Sequence, residues 1–337
     1  NPMLEKSVEG KSFILIIPND FKIYEIFEFN IQKIGFDLTS IVPADFKYEN
    51  NFLRVKNFFL KNFFGNRTYK KELIRKFRSG HMCQEIGHLG EKSIDYILVI
   101  RPDIFDNETI QKLLNIGKKV VGYQWDGLKR YPEVFNFIPL FEKFLIFDEN
   151  DYKNYHIQFP NIQLCDNFFF DFDDEAENCS KNNTIYYVGS YIENRIDDLI
   201  YAMDELAKFD VNFDINLKYF RSKKPINKPY IKFFKDNFTF RDNIKRLKAA
   251  SIILDFKVLE HNGLSLRFFE SLRYEKKIIT NNKTVMEYDF YNPQNIFIIH
   301  HDDMSRLGEF ISTPYKEISK EIVDQYSFSS WLSKYVL

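Results

Sequence analysis

The densest run of chemistry-bearing residues is Asp255-Phe-Lys-Val-Leu-Glu260-His-Asn262-Gly263-Leu-Ser265-Leu-Arg267-Phe-Phe-Glu270-Ser-Leu-Arg273. A buried strand ends at Asp255, a polar loop passes through Gly263 and Ser265, and a helix follows. That helix carries Arg267 and Glu270 one turn apart on one face. A guanidinium can clamp a diphosphate bidentately, and a carboxylate three residues on can accept hydrogen bonds from a ribose diol. The same pair also suits an intrahelical ion pair on a solvated face. Its position favours a ligand, because open α/β sheets bind ligands beyond the carboxyl ends of their strands. A second small-residue turn, Val188-Gly189-Ser190-Tyr191, leads to a helix opened by Asn194-Arg195. Bare N–H groups at such a turn hold anions, although most strand-to-helix turns contain a similar pair.

The elements that must position these residues alternate along the whole chain. Phe13–Ile17 is a continuous apolar run closed by Pro18-Asn19-Asp20, Tyr24–Ile34 is amphipathic and stops at Gly35, and Phe36–Val42 alternates. Strand, helix and strand within about thirty residues make a βαβ unit. Asp95–Ile100, Lys119–Tyr123 and Phe144–Phe147 read as further strands, with a helix over Asn107–Asn115 closed near Gly117 and a helical stretch from Pro132. After a polar, acidic interval from Asp171 to Asn183, a second set begins. It has strands at Thr184–Gly189, Phe213–Phe220, Ser251–Asp255, Lys277–Thr280 and Asn295–Ile299, and helices at 194–209, Asp242–Ala250 and Leu264–Arg273. Such alternation implies parallel sheets covered on both faces, so the expected fold is α/β, two doubly wound Rossmann-like domains facing a cleft. The expected division is 1–170 for the first domain, 171–315 for the second, and 316–337 as a helical tail.

Composition excludes several classes. The 337 residues contain 45 % hydrophobic side chains, with 37 Phe and 20 Tyr but only 12 Gly and 11 Pro, so the chain is neither disordered nor fibrous. A balance of 47 Lys+Arg against 48 Asp+Glu argues against a dedicated nucleic-acid binder. Cys83, Cys165 and Cys179 lack metal-ligand spacing and suit a reducing compartment. No apolar run approaches the roughly 18 residues of a membrane span, no signal peptide is legible, and Asn1-Pro2 ahead of Met3 reads as a cloning remnant. A cytoplasmic protein is expected.

Phe240–Asp255, then Gly263-Leu-Ser-Leu-Arg267-Phe-Phe-Glu270-Ser-Leu, then Lys277-Ile-Ile-Thr280-Asn-Asn, resembles the donor half of GT-B glycosyltransferases. The nearest likeness is to bacterial lipopolysaccharide and capsule enzymes and their CgeB-like relatives. It covers about residues 184–300; the N-terminal half matches in architecture alone. The resemblance implies an enzyme moving a sugar from a nucleotide-sugar donor to a hydroxyl of a surface glycan or lipid-linked glycan, without a metal or other cofactor. It implies Glu270 as ribose ligand and Arg267 as phosphate ligand. Gly189, Ser190, Gly263 and Ser265 would lie near the diphosphate or sugar, with Lys218 and Arg221 approaching from the neighbouring strand end. Retaining members often carry two Glu with seven residues between them. Here the position eight before Glu270 is Asn262, which leaves retention or inversion open. The resemblance also implies an acceptor site in the first domain and a tail crossing back to it.

In Gly122-Tyr-Gln-Trp125-Asp126-Gly127, Asp126 could take the acceptor proton while Trp125 stacks on a sugar ring. A turn or N-capping role suits Asp126 equally, and Asp20 is the second choice of base. His81, His88 and His156 are isolated. From Arg54 to Arg78, nine basic residues stand against Glu72 alone, interleaved with Phe58, Phe59, Phe63, Phe64 and Tyr69. This stretch of charge +8 suits peripheral contact with the inner face of a membrane; a solvated helix with its Phe facing the core is the alternative, and nucleic acid the less suited partner. Asp171-Phe172-Asp173 spells a D-x-D, and His300-His301-Asp302-Asp303 a second polar cluster. The first falls between two complete α/β sets and reads as coincidence, so no metal is expected.

Overall fold

The computed structural model describes residues 2–174, 183–218, 226–235, 237–257 and 262–337. Arg221, Cys179, Glu260 and His261 lie outside the described residues. The first half runs α1 (Pro2–Val8), β1 (Ser12–Ile16), α2 (Tyr24–Ile34), β2 (Asp37–Ile41), α3 (Asn51–Phe63), α4 (Thr68–Ile86), β3 (Ile94–Ile100), α5 (Asn107–Ile116), β4 (Gly117–Gln124), β5 (Lys143–Ile146), α6 (Glu149–Tyr155) and β6 (Ile162–Leu164). The second runs β7 (Thr184–Ser190), α7 (Glu193–Leu206), β8 (Asn212–Lys218), β9 (Ile231–Phe234), α8 (Phe240–Ala249), β10 (Ile252–Asp255), α9 (Leu266–Arg273), β11 (Lys277–Thr280) and β12 (Ile296–Ile298). Helices α10 (Leu307–Ser312), α11 (Lys320–Asp324) and α12 (Phe328–Tyr335) close the chain.

The strands form two six-stranded sheets, ordered β2-β1-β3-β4-β5-β6 and β12-β11-β10-β7-β8-β9, and each named pairing is parallel. Both are the two Rossmann-like domains expected. Strand order reverses between β1 and β3 in the first sheet and between β7 and β10 in the second. At such a switch point neighbouring crossovers leave to opposite faces and open a crevice at the carboxyl ends.

Local chemistry explains the elements that set up these crevices. β1 is apolar at each of Phe13, Ile14, Leu15 and Ile16 because helices cover both its faces, and all four are buried. α2 ends at Gly35, whose φ of 119° lets its N–H return to Gln32 and Ile31 carbonyls. α8 begins with a capping box in which Thr239 and Asp242 exchange side-chain and backbone bonds. Gly117 closes α5 as expected, its N–H returning to Leu113 O, but with an extended backbone (φ −90°, ψ 137°) that at once opens β4. A side chain there would meet Ile97 at 2.9 Å, so close packing explains the glycine. One expectation is corrected: the helical stretch from Pro132 is a series of short 3-10 turns, Pro132 opening one and Pro139 standing second in the next. Strands β6 and β9 were not foreseen; three and four residues carry too little periodicity to read.

One apolar cluster joins the two domains. It runs from Phe13, Leu15 and Leu98 on the first sheet through Phe168 and Phe170 to Phe240 and Ile244 beside the second, and α12 closes it with Phe328 and Trp331. Ring contacts at its centre include Phe27 with Phe170 at 5.0 Å and Phe168 with Trp331 at 4.9 Å. Such pairs each contribute roughly 0.5–1.5 kcal/mol beyond burial. Trp331 Nε1 donates to Asp166 O at 3.0 Å, and Lys143 Nζ to Tyr335 O at 3.0 Å, tying the last helix to β5 and the chain beyond β6.

The acidic cluster after the first sheet is bound into this seam. Asp171 accepts the Ser329 N–H at 2.9 Å, Asp173 pairs with Lys248 and Tyr274, and Asp174 with Arg241. Among the described residues no His, Cys, Asp and Glu side chains group as a metal site would require. Nor is any described helix long and apolar enough to cross a membrane.

Candidate functional site

Both switch points open onto one cleft of about 650 Å³, within the range of small-molecule sites. On the second domain's wall, Ser190 ends β7 beside Lys218 at the end of β8; the Tyr191 N–H to Lys218 O bond at 3.0 Å holds the two ends together. Arg195, in the first turn of α7, donates to Ser190 O at 2.7 Å. Asp255 ends β10 and accepts the Ser265 hydroxyl at 2.7 Å, while Ser265 caps α9. Arg267 stands 3.9 Å from Asp255, and its Nε is buried with no hydrogen-bond partner. Lys257, two residues beyond Asp255, lines the same cleft. Four cations therefore gather around one carboxylate, an excess suited to a diphosphate.

The glycines have packing reasons. A side chain at Gly263 would meet the Phe147 ring at 2.7 Å, because the loop passes directly against the first domain. Asn262 N–H to Asp148 and Asn167 Nδ2 to Leu264 O, at 3.3 and 2.8 Å, fasten that loop across the cleft. A side chain at Gly189 would meet the Tyr187 hydroxyl at 2.4 Å, and that hydroxyl is buried without a partner between the fields of Arg195 and Arg267.

Glu270 is not on the cleft wall. It is 2 % exposed, one layer beneath Arg267, and accepts from Asn243 Nδ2 at 3.2 Å, while Tyr186 donates to Asn243 Oδ1 at 2.8 Å. Burial pushes its carboxyl up to about 7, against the opposing charge of Arg267 and the Asn243 bond.

On the first domain's wall, Asp20 follows β1 and Arg101 follows β3. Arg101 holds a left-handed backbone at φ 61°, uncommon for a side-chain-bearing residue. Its guanidinium makes a bidentate bond to Asp103 at 2.9 and 2.8 Å, and Tyr131 stacks on it at 3.7 Å. Asp103 is itself held by Gln124 Nε2 at 3.0 Å. Asp126 lines the cleft beside Trp125, with one oxygen 2.9 Å from Arg130 and the other 3.7 Å from Arg101. Asp20 accepts no side-chain bond and forms no ion pair among the described residues. Its pKa is raised, desolvation by the cleft walls outweighing Arg101, with Asp126 adding to the rise and Lys218 opposing it.

The cleft thus gathers Trp125, Asp126, Ser190, Lys218, Gly263, Ser265 and Arg267 of the residues singled out from sequence, with Gly189 and Glu270 behind its wall. None of the five described histidines lines it. Arg195, Arg101 and Lys257 were missed as site residues. The available signal was position: each lies within five residues of the end of a strand at a switch point.

A scan against protein-family models finds no match, and a search of curated proteins finds no relative. Solved structures do match over nearly the whole chain. A UDP-forming α,α-trehalose-phosphate synthase from Burkholderia xenovorans aligns with a TM-score of 0.56 at 8 % identity, covering 96 % of this chain and 97 % of its own. Sucrose-phosphate synthase from Thermosynechococcus elongatus gives 0.54 at 9 % identity, covering 96 and 97 %. An α-glucosyltransferase in complex with UDP gives 0.54 at 12 % identity, covering 96 and 95 %. At such identities the likeness is one of fold: the chain has the GT-B architecture of two Rossmann-like domains across a cleft.

Proposed function

We propose that the protein is a glycosyltransferase that moves a sugar from a nucleoside diphosphate sugar to a hydroxyl of a glycan or lipid-linked glycan precursor. The observation that carries this reading is the cluster of cations on the second domain's wall with a carboxylate opposite it across the cleft. Arg195, Lys218, Lys257 and Arg267 face the cleft from the second domain, and the exposed carboxylate of Asp20 faces it from the first. The donor diphosphate would lie on the cationic wall, at the turn after β7 and the start of α9. There Arg195 and Arg267 would stabilise the charge of the departing nucleotide, as a metal does elsewhere. The described neighbours include one solved with UDP and one named as UDP-forming, which supports a uridine nucleotide as the first donor to try.

Asp20 is the better base than Asp126, whose two oxygens are each engaged by a guanidinium. In the step, the acceptor O–H proton passes to Asp20, the acceptor oxygen bonds the sugar's anomeric carbon, and the bond to the diphosphate breaks with its electron pair. Trp125 would stack on the acceptor ring. Glu270, too deep to touch a ligand wall directly, would hold Arg267 and reach the ribose if the Asn243 bond opens. The acceptor would be met at a membrane surface through residues 54–78.

The test is a thermal-shift panel of nucleotides and nucleotide-sugars with and without EDTA, since a ligand of the native state raises the melting temperature by mass action. One nucleotide family stabilising the protein, insensitive to EDTA, is expected. No shift with any nucleotide would overturn the reading. A binding protein without turnover is distinguished by Asp20→Asn, which would change nothing in it.

A further inference from the structure

Helix α3 carries two apolar stripes, of which one is half-covered and the other exposed. Leu53 and Leu60, with Asn57 between, are its half-covered positions, and the helix packs against α4. Phe52, Val55, Phe59 and Phe63 recur at helical spacing and form a second stripe roughly 120° further round. They are 71, 51, 49 and 69 % exposed, and no residue of α3 is buried. Phe58 and Phe64 extend the patch, and the Phe59 and Phe63 rings stack on each other at 5.4 Å. Single exposed apolar side chains are ordinary; six on neighbouring turns mark a contact surface.

The charge around the stripe narrows the partner. Arg54, Lys56, Lys61, Arg67, Lys70 and Lys71 are all exposed, and no acidic side chain occurs between Asn50 and Lys71. An occupant must therefore offer an apolar layer and negative charge together. A polynucleotide brings charge but no apolar depth for a convex row of rings. A second copy of the chain would set six cations against six.

We infer that α3, with the start of α4, docks on the surface of an anionic lipid bilayer, its rings sunk at the acyl boundary and its cations among the headgroups. α3 follows the carboxyl end of β2, the end of the first sheet at which the cleft opens, so docking brings the cleft mouth toward the bilayer. The inference deepens the reading of a lipid-linked acceptor but stands on its own observations.

The experiment is co-sedimentation of the full chain with vesicles of phosphatidylcholine alone and of phosphatidylcholine with about 30 % phosphatidylglycerol, at about 0.15 M salt. The wild type is compared with the triple variant Phe58→Ser, Phe59→Ser, Phe63→Ser, and with Lys56→Glu, Lys61→Glu. Since all these side chains are exposed, the melting temperature should be unchanged. Expected are binding to the anionic vesicles and at least about ten-fold weaker binding to neutral ones, by either variant, and at high salt. Equal binding by wild type and variants, or by neutral and anionic vesicles, overturns the inference. So does the absence of vesicle binding, and a single-stranded oligonucleotide bound instead, or a dimer lost in the triple variant, would reassign the face. Nucleotide thermal shifts measured on the same variants keep a failure here separate from a failure of the donor site.

Discussion

Replacing Glu270 by glutamine should stabilise the protein at alkaline pH and do so progressively. In the unfolded chain the Glu270 carboxyl has the ordinary glutamate value of 4.5, and in the fold burial pushes it up to about 7. Between those pH values the native state holds a proton that the unfolded chain has lost, so wild-type stability falls as pH rises through this window. At about 1.4 kcal/mol per pH unit, the loss is about 3 kcal/mol by pH 8. An unfolding entropy of roughly 0.7 kcal/mol/K for a chain of this length converts it to about 4 °C in melting temperature. The substituted amide would not ionise, and its carbonyl oxygen can still accept from Asn243. The assay is a set of thermal melts of both proteins from pH 5 to pH 8. The variant should gain about 4 °C on the wild type across that range. A constant offset would refute the reasoning. A wild type that gains on the variant as pH rises would show instead that Glu270 is charged in the fold and stabilised by Arg267.

Asp20→Asn should lower transfer at least about 100-fold while leaving nucleotide binding intact, with Asp126→Asn much milder; initial rates and titrations on the same samples check this. Gly263→Ala forces a methyl group against the Phe147 ring and its backbone carbonyl and should cost about 1–3 kcal/mol in urea unfolding, relieved in part by Phe147→Leu. Trp331→Ala removes a buried ring from the seam between the domains and should cost about 3–5 kcal/mol, read as a lower unfolding midpoint or as separate transitions for the two domains.

The strands that were legible are the central ones. Phe13–Ile16 and Ile252–Asp255 are covered on both faces, which writes a continuous apolar run into the sequence, and Gly35 marks its helix end through a conformation other residues avoid. Edge strands such as Ile231–Phe234 have one free side and a mixed pattern, burying Ile231 while exposing Lys232 and Phe233. Gly117 was legible as the end of α5, whereas its close packing against Ile97 as the first residue of β4 was not. Within the site, Arg267, Ser265 and Gly263 stood out because they are contiguous. Arg101 and Arg195 belong to the site only because the two sheets reverse their strand order at β1/β3 and β7/β10, a property of topology. The depth of Glu270 was equally out of reach: spacing puts it on a face with Arg267 but does not reveal that Asn243, twenty-seven positions earlier, closes over it. The Phe-rich stripe of α3 was readable, whereas its being left uncovered depends on how that helix seats on α4.

The most direct test of the central claim is a calorimetric titration of UDP into the wild type, Arg195→Ala and Lys218→Ala, in buffer containing EDTA. Both substituted side chains reach the cleft from the ends of β7 and β8. One site per chain, weakened about ten-fold or more by each substitution, is the predicted result, since a charge-assisted hydrogen bond contributes about 1.5–3 kcal/mol. No heat of binding, or binding that both variants leave unchanged, would contradict a diphosphate site on this wall.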